Sequence, residues 1–309
     1  MIAKSPYLSE MSSKKRIRFI INPISGIGKK NQLPDLIDTY LDHDKYDYEI
    51  RLTEYRNHAK KIAKDSTEEG FDIVCAVGGD GSVHEVGTSL IGTKTVMAII
   101  PTGSGNGLAR HVQIPLEIID AIQCINDGYT TKMDTISVND RPLIGFGGFG
   151  FDAFIAKKFD DVSKRGFSTY VKLVLKEFLG YKAPRIELRI AEKTYHTRAF
   201  LCSIANSSEF GNGFCISPNS KIDDGMLEFC LMKRLPILGM PKLILDFFLR
   251  KADKNRHISI LPFSEATMRI NRPFAHFDGE PMDIPNELKI SVNSKSLNIL
   301  VGKKYDEVR

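Results

Sequence analysis

The chain has 309 residues, of which 42% are apolar and 26% charged, the proportions of a folded globular protein with room for two domains rather than of a disordered or coiled-coil chain. Forty-three Lys and Arg against 38 Asp and Glu leave a net charge of +5, scattered along the chain, which permits phosphate or anionic partners without specifying them. Five widely spaced cysteines without a CxxC pair, and an N-terminus lacking an apolar run of signal-peptide length, argue against a disulfide framework or a thiolate zinc site and point to a reduced, cytoplasmic protein.

Short apolar runs at 16–21, 46–52, 71–77 and 95–100 alternate with segments of helical spacing at 31–41 and 57–70. Strands alternating with helices predict an α/β fold, a doubly wound parallel sheet, over residues 14–136. Beyond that the texture changes. Strand-like alternation dominates at 183–206, 225–232, 257–262, 265–271 and 287–301, with helical spacing at 151–162, 167–181 and 241–254. Residues 137–302 therefore read as a mostly antiparallel β domain, and 303–309 as a tail that could pack back on the first domain.

Ligands of doubly wound sheets bind beyond the carboxyl ends of the strands. Three Gly-rich stretches, at 22–28, 78–82 and 101–107, follow three of the first-domain runs, so they converge on one crevice. Gly78, Gly79 and Gly81 around Asp80 lead into a helical segment, where backbone N–H groups and a helix N-terminus suit a phosphate and Asp80 could orient Mg²⁺ or a hydroxyl. A plain strand-to-helix turn with a capping Asp fits the same residues. Gly103, Ser104, Gly105 and Asn106 repeat the pattern.

Gly145 to Gly150 spells GxGxxG, but no second strand ending in an acidic residue follows about 20 positions later, so the segment reads as close packing or backbone facing a substrate. A Walker A sequence is absent, and His84-Glu85 is not HExxH because residue 88 is Thr88. Asp223-Asp224-Gly225 could hold a hard cation or form an acidic turn. Asp278-Gly279 could be an exposed turn or, if the second domain folds over the crevice, could reach an acceptor hydroxyl.

Taken together, NPISG, GGDGSVHEV, PTGSGNGLAR, GFGFDA, SPNSKIDDGMLE and FDGEP resemble the diacylglycerol kinase catalytic-domain family, which includes soluble bacterial lipid kinases and is related to sphingosine and ceramide kinases and, distantly, to NAD kinases and phosphofructokinases. The resemblance spans 16–302. It implies an ATP-dependent lipid kinase with nucleotide between the two domains. By similarity, Asn22, Pro23, Ile24, Ser25, Gly26, Thr53, Gly78, Gly79, Asp80, Gly81, Ser82, Val83, His84, Gly103, Ser104 and Asn106 line the ATP site. Asp80 sits at the phosphate end, Asp278 acts as general base with Glu280 nearby, and Asp224 with the carbonyls of Lys221 and Met226 holds a structural Mg²⁺. The sequence departs from the family at Gly107, where bacterial members usually carry Asp, and at Ile27, where many relatives place a basic residue. GSGN together with His84-Glu85-Val86 is nearer the sphingosine and ceramide kinase branch, so the acceptor is diacylglycerol or a sphingoid- or ceramide-like lipid.

A lipid acceptor implies transient membrane contact by a cytoplasmic protein. Residues 235–256 mix apolar side chains with Lys242, Arg250, Lys251, Lys254 and Arg256, a composition that suits interfacial docking on anionic lipid and equally suits a core helix. A homodimer is compatible with the sequence. No basic and aromatic face or motif for nucleic acid is present. The competing functions are an NAD kinase-like phosphotransferase and a non-catalytic nucleotide-binding regulator.

Overall fold

The computed structural model describes residues 14–23, 32–160, 167–272 and 274–308. β1 (Lys15–Ile21), β2 (Tyr46–Leu52), β3 (Ile73–Gly78) and β4 (Val96–Pro101) are parallel, in the order β2-β1-β3-β4. All six residues of β3 are buried, as expected of a strand covered by helices on both faces. The helices have the spacing to do it. α1 (Leu33–Tyr40) buries Leu33 and Ile37, and α2 (His58–Glu68) buries Ala59, Ile62, Ala63 and Ser66, one stripe of i, i+3, i+4 and i+7. α3 (Asp80–Leu90) starts directly after β3, the short α4 (Gly107–His111) follows β4 after the loop 102–106, and α5 (Ile118–Asp127) ends on Gly128 in the left-handed conformation.

The second half contributes β5 (Thr130–Val138), β6 (Arg141–Leu143), β7 (Phe146–Gly148), α6 (Phe151–Asp160), α7 (Phe167–Phe178), β8 (Arg185–Ile190), β9 (Lys193–Arg198), β10 (Leu201–Ala205), β11 (Leu227–Met232), α8 (Met240–Phe248), β12 (Ile258–Phe263), β13 (Glu265–Ile270), β14 (Phe274–Phe277), β15 (Glu280–Asp283), β16 (Glu287–Leu300) and α9 (Lys303–Val308). One six-stranded sheet runs β12-β11-β10-β7-β14-β15. It packs on the antiparallel part of the larger sheet through Ile136, Leu143, Phe149, Leu188, Phe229, Phe263, Met268, Phe277 and Ile290. Phe229 and Phe263 stack with ring centroids 4.2 Å apart. Burying each such ring is worth roughly 1.5–3 kcal/mol.

No linker separates the halves, because one strand belongs to both. β16 runs antiparallel to β13 at its start (Ala266 opposite Ile290) and parallel to β4 at its end (Asn298 opposite Val96). The parallel and antiparallel parts are thereby fused into a ten-stranded sheet. Residue 136, where the sequence changes texture, lies inside β5, itself paired along β16. The C-terminal segment returns to the first half: Gly302 donates to the Val112 carbonyl and the Tyr305 ring lies 6.0 Å from that of His111. All five cysteines are buried and free. Among the described residues no helix is long and apolar enough to cross a membrane.

Candidate active site

The two Gly-rich loops after β3 and β4 touch backbone to backbone. Thr102 N–H donates to the Gly78 carbonyl at 2.9 Å, and a Cβ on Gly103 would lie 2.4 Å from the Gly79 Cα. Only two glycines can approach so closely. Asn106, left-handed at φ 56°, closes the second loop: its Oδ1 accepts from Gly103 N–H at 3.1 Å and its Nδ2 donates to the Gly103 carbonyl at 2.8 Å.

Asp80 ties the loops together by accepting N–H bonds from Asn106 (3.0 Å) and Gly107 (2.8 Å). Burial pushes its carboxyl above the usual carboxylate range, the amide hydrogen bonds oppose this, and the nearby charge of Asp278 adds to the rise. The loop at 208–213 clamps the pair from the β-rich half. Asn212 N–H donates to the Gly105 carbonyl at 3.0 Å, and the Glu209 carbonyl occupies the space a Cβ on Gly107 would need.

Asp278 faces these loops from the other half. Asp278 and Gly279 both have positive φ (48° and 89°) between the paired residues Phe277 and Glu280, the backbone of a two-residue Asp-Gly hairpin turn. The carboxylate is buried and accepts four hydrogen bonds. Gly145 and Phe146 N–H reach Oδ1, and Ile144 N–H reaches Oδ2, each at 2.9 Å; the fourth donor is His84 Nδ1, 2.7 Å from Oδ2. Burial alone would raise this carboxyl, but the hydrogen bond and charge of His84, with the backbone amides, hold it below its ordinary value. His84 responds in the opposite sense: burial would lower it, and Asp278 outweighs burial and raises it. Glu280 opens toward the crevice. Its Oε1 lies 3.9 Å from where a Cβ on Gly81 would stand, and Arg56 holds its Oε2 at 3.2 Å.

The other residues expected from sequence divide. Asn22 follows β1, with its N–H bonded to the Val77 carbonyl, and Ser82, Thr53 and Asn106 are buried near the same strand ends. Ser104 and Pro23 are exposed. Val83 packs into the first-half core. Ile24, Ser25 and Gly26 lie outside the described residues. Thr102 Oγ1 and Ser207 Oγ are buried without a hydrogen-bond partner among the described residues, polar groups a bound molecule could use.

The 221–226 turn is set by a residue that sequence reading passed over. Asp134, fully buried, accepts N–H bonds from Gly225 and Lys295. Asp224 is exposed and its Oδ1 accepts from Met226 N–H at 3.0 Å, leaving its second oxygen and the neighbouring carbonyls as an all-oxygen donor set of the kind a hard cation takes. Among the described residues no cluster of three or more His, Cys, Asp or Glu could hold a metal.

The GFGGFG segment is a packing device. A Cβ on Gly148 would meet Asp152 Oδ2 at 1.9 Å and His276 Nε2 at 2.1 Å, two groups that with Ser203 form a buried polar cluster. The sequence signal for the cluster was the Gly pair itself; its partners come from residues 152, 203 and 276, which no local pattern connects.

Residues 16–138 match the diacylglycerol kinase catalytic domain, and residues 145–301 match the YegS C-terminal NAD kinase beta sandwich-like domain. The probable lipid kinase YegS-like protein of Pectobacterium atrosepticum is 27% identical over 246 residues, covering 77% of this chain and 81% of that protein. The counterpart in Serratia proteamaculans is 27% identical over 267 residues, covering 84% and 86%. A diacylglycerol kinase crystal structure from Bacillus anthracis superposes with a TM-score of 0.71 at 18% identity, over 95% of this chain and 99% of that one, and so shares the fold.

Proposed function

The chain belongs to the diacylglycerol kinase catalytic-domain family, and from that premise we propose that it transfers the γ-phosphoryl group of ATP to the hydroxyl of a lipid, diacylglycerol or a sphingoid- or ceramide-like molecule. One observation carries this reading: two glycine loops in backbone contact at the ends of β3 and β4 are faced, across the seam, by the Asp278–Glu280 turn. Phosphoryl transfer asks a protein chiefly to hold the phosphates, neutralise developing charge and orient the acceptor. The loops around Gly79 and Gly103 provide close backbone approach for phosphate, and Asp80 fixes their relative position.

Proton removal fits Glu280 better than Asp278, the base expected from sequence. The four donors on Asp278 occupy the acceptor positions of its two oxygens, so it acts as a positioning residue, holding His84 and the strand start at 144–146. Glu280 has one oxygen held by Arg56 and the other turned toward the Gly81 loop, where an acceptor hydroxyl beside the γ-phosphate would meet it. Mg²⁺ supplies charge neutralisation when bound with the nucleotide. A second Mg²⁺ suits the oxygen donors of Asp224 and the Lys221 and Met226 carbonyls, in a structural role.

The test is radiolabelled ATP offered with a lipid panel or with NAD, followed by separation of the products. A labelled lipid supports the reading. Label in NADP replaces it with an NAD kinase-like activity, and nucleotide binding without transfer to any acceptor replaces it with a nucleotide-binding regulator.

A further inference from the structure

Seven of the twelve large apolar side chains that stand exposed among the described residues belong to two neighbouring segments of the β-rich half: Leu175 of α7 and Leu179 just after it, Leu238 in the turn before α8, and Ile244, Leu245, Phe248 and Leu249 at α8. Leu238 is 92% exposed, and Leu175 and Leu179 are 67% and 65% exposed. They are not scattered surface residues. Along α7 and the residue after it the exposed positions 172, 175, 176 and 179, and along α8 and its C-cap the positions 241, 242, 244, 245, 248 and 249, form continuous stripes. The opposite faces, through Phe178, Leu243 and Phe247, sit on one core cluster. The Arg234 guanidinium ties the two segments together by donating to the Leu179 carbonyl at 2.8 Å. The sequence left 235–256 open between core helix and docking surface; in the structure one face of α8 packs inward and the other is bare.

Charge identifies the occupant. Residues 172–182 and 233–256 hold ten Lys and Arg against three Asp and Glu, a net of +7, whereas the whole chain has +5. The rest of the molecule is therefore net negative, and the positive charge is concentrated around the apolar stripes. Of the three carboxylates, Asp246 is paired with Lys242 and Glu177 with Lys158. A second copy of the chain docking through this face would set like charges against each other, which opposes a symmetric dimer. An apolar stripe rimmed by Lys and Arg instead matches a bilayer of anionic lipid, with apolar side chains at the acyl boundary and cations at the headgroups.

The face also adjoins the site. Phe248 packs on Phe214 with ring centroids 4.6 Å apart, and Arg250 reaches Glu209 Oε1 at 2.7 Å and Ser208 Oγ at 3.1 Å. The loop holding those residues is the one that clamps Gly105 and Gly107. We propose that α7 and α8, with the turn between 237 and 239, form the surface by which the protein docks on an anionic membrane, placing the phosphate loops beside the lipid layer; this rests on the lipid-kinase reading above.

The experiment is flotation of the full chain with phosphatidylcholine vesicles and with vesicles carrying about 30% phosphatidylglycerol. Wild type is expected to float with the anionic vesicles only, and less so as salt rises. Leu245→Ser/Leu249→Ser and Lys251→Glu/Lys254→Glu should each weaken that binding at least about ten-fold, with unchanged melting temperature and ATP binding. The charge variant changes exposed side chains only and guards against misfolding of the first. Failure of wild type to bind anionic vesicles at low salt overturns the proposal, as do variants that bind like wild type. A wild-type dimer that the leucine variant dissociates overturns it in favour of a second copy. Lipid phosphorylation in neutral detergent micelles separates the two claims: turnover there without vesicle binding sinks the docking face alone, and vesicle binding without phosphorylation of any lipid sinks the kinase reading alone.

Discussion

His84 Nδ1 stands 2.7 Å from Asp278 Oδ2, joining α3 to the β14–β15 turn 194 residues away. Both side chains are nearly buried, and the bond crosses the seam between the glycine loops and the β-rich half, so the two protonation states bear on stability together.

The pH window follows from the shifts. A histidine raised above its ordinary 6.5 stabilises fully below that value and loses its contribution as pH rises through the folded value. A carboxyl held below 3.8 stabilises above that value and loses its contribution as pH falls through the folded one. Glu280 reinforces the imidazolium and Lys60 opposes it. Wild type should therefore lose stability between about pH 6 and about pH 8, and His84→Gln should flatten that slope. Denaturant unfolding at both pH values checks it; equal slopes in the two proteins would remove the ion pair from the account.

Gly103→Ala would push a methyl group to 2.4 Å from the Gly79 Cα and 3.0 Å from Asn106 Oδ1. Backbone cannot swing away as a side chain can. The substitution should destabilise by about 1–3 kcal/mol and weaken nucleotide binding by roughly ten-fold, the equivalent of about 1.4 kcal/mol. Gly180→Ala, with nothing within 4 Å of the new Cβ, serves as the matched control and should be near neutral. Thermal melts with nucleotide titration separate the two.

Asp80 and Glu280 should fail differently. Asp80→Ala releases the Asn106 and Gly107 amides, so nucleotide KM should rise and kcat fall by at least roughly 10²-fold. Glu280→Gln removes only a partly exposed pair with Arg56, an interaction worth about 0–1 kcal/mol. Its kcat should fall by roughly 10²-fold while melting temperature and ATP binding hold. Wild-type turnover in Glu280→Gln would return proton removal to another group. Asp278→Ala should lower kcat as far and also lower stability, since it orphans three buried amides.

Glu228 lies buried on β11 with Ser220 Oγ bonded to its carboxyl. Burial, aided by the charge of Asp224, pushes it up to about 7. A raised carboxyl stabilises while protonated, so its contribution should drain away as pH rises through about 7. Glu228→Gln, which keeps the shape without the charge, should melt higher than wild type at about pH 9 and match it only below the unfolded value, at about pH 4. A variant that tracks wild type at both values would show that the carboxyl ionises without cost.

Local pattern made much of this protein legible. The runs at 16–21, 46–52, 71–77 and 95–100 became β1 to β4 within two residues of their expected ends, because the inner strands β1, β3 and β4, covered on both faces, are largely apolar runs, while the edge strand β2 keeps an alternating pattern with only Tyr46 buried. Gly79, Gly103 and the Asp278-Gly279 pair were readable because only glycine, or Asp in a tight turn, satisfies such backbone demands. Spacing says nothing about what lies across a fold. That β16 would close the parallel sheet against β4, that Asp134 would pin a turn 91 residues away, that four donors would converge on Asp278 and pass the open carboxylate to Glu280, and that Arg234 would reach back 55 residues to the Leu179 carbonyl all depend on contacts between distant segments. Those contacts are chosen by which surfaces can be buried together, a condition met only when the whole chain has packed.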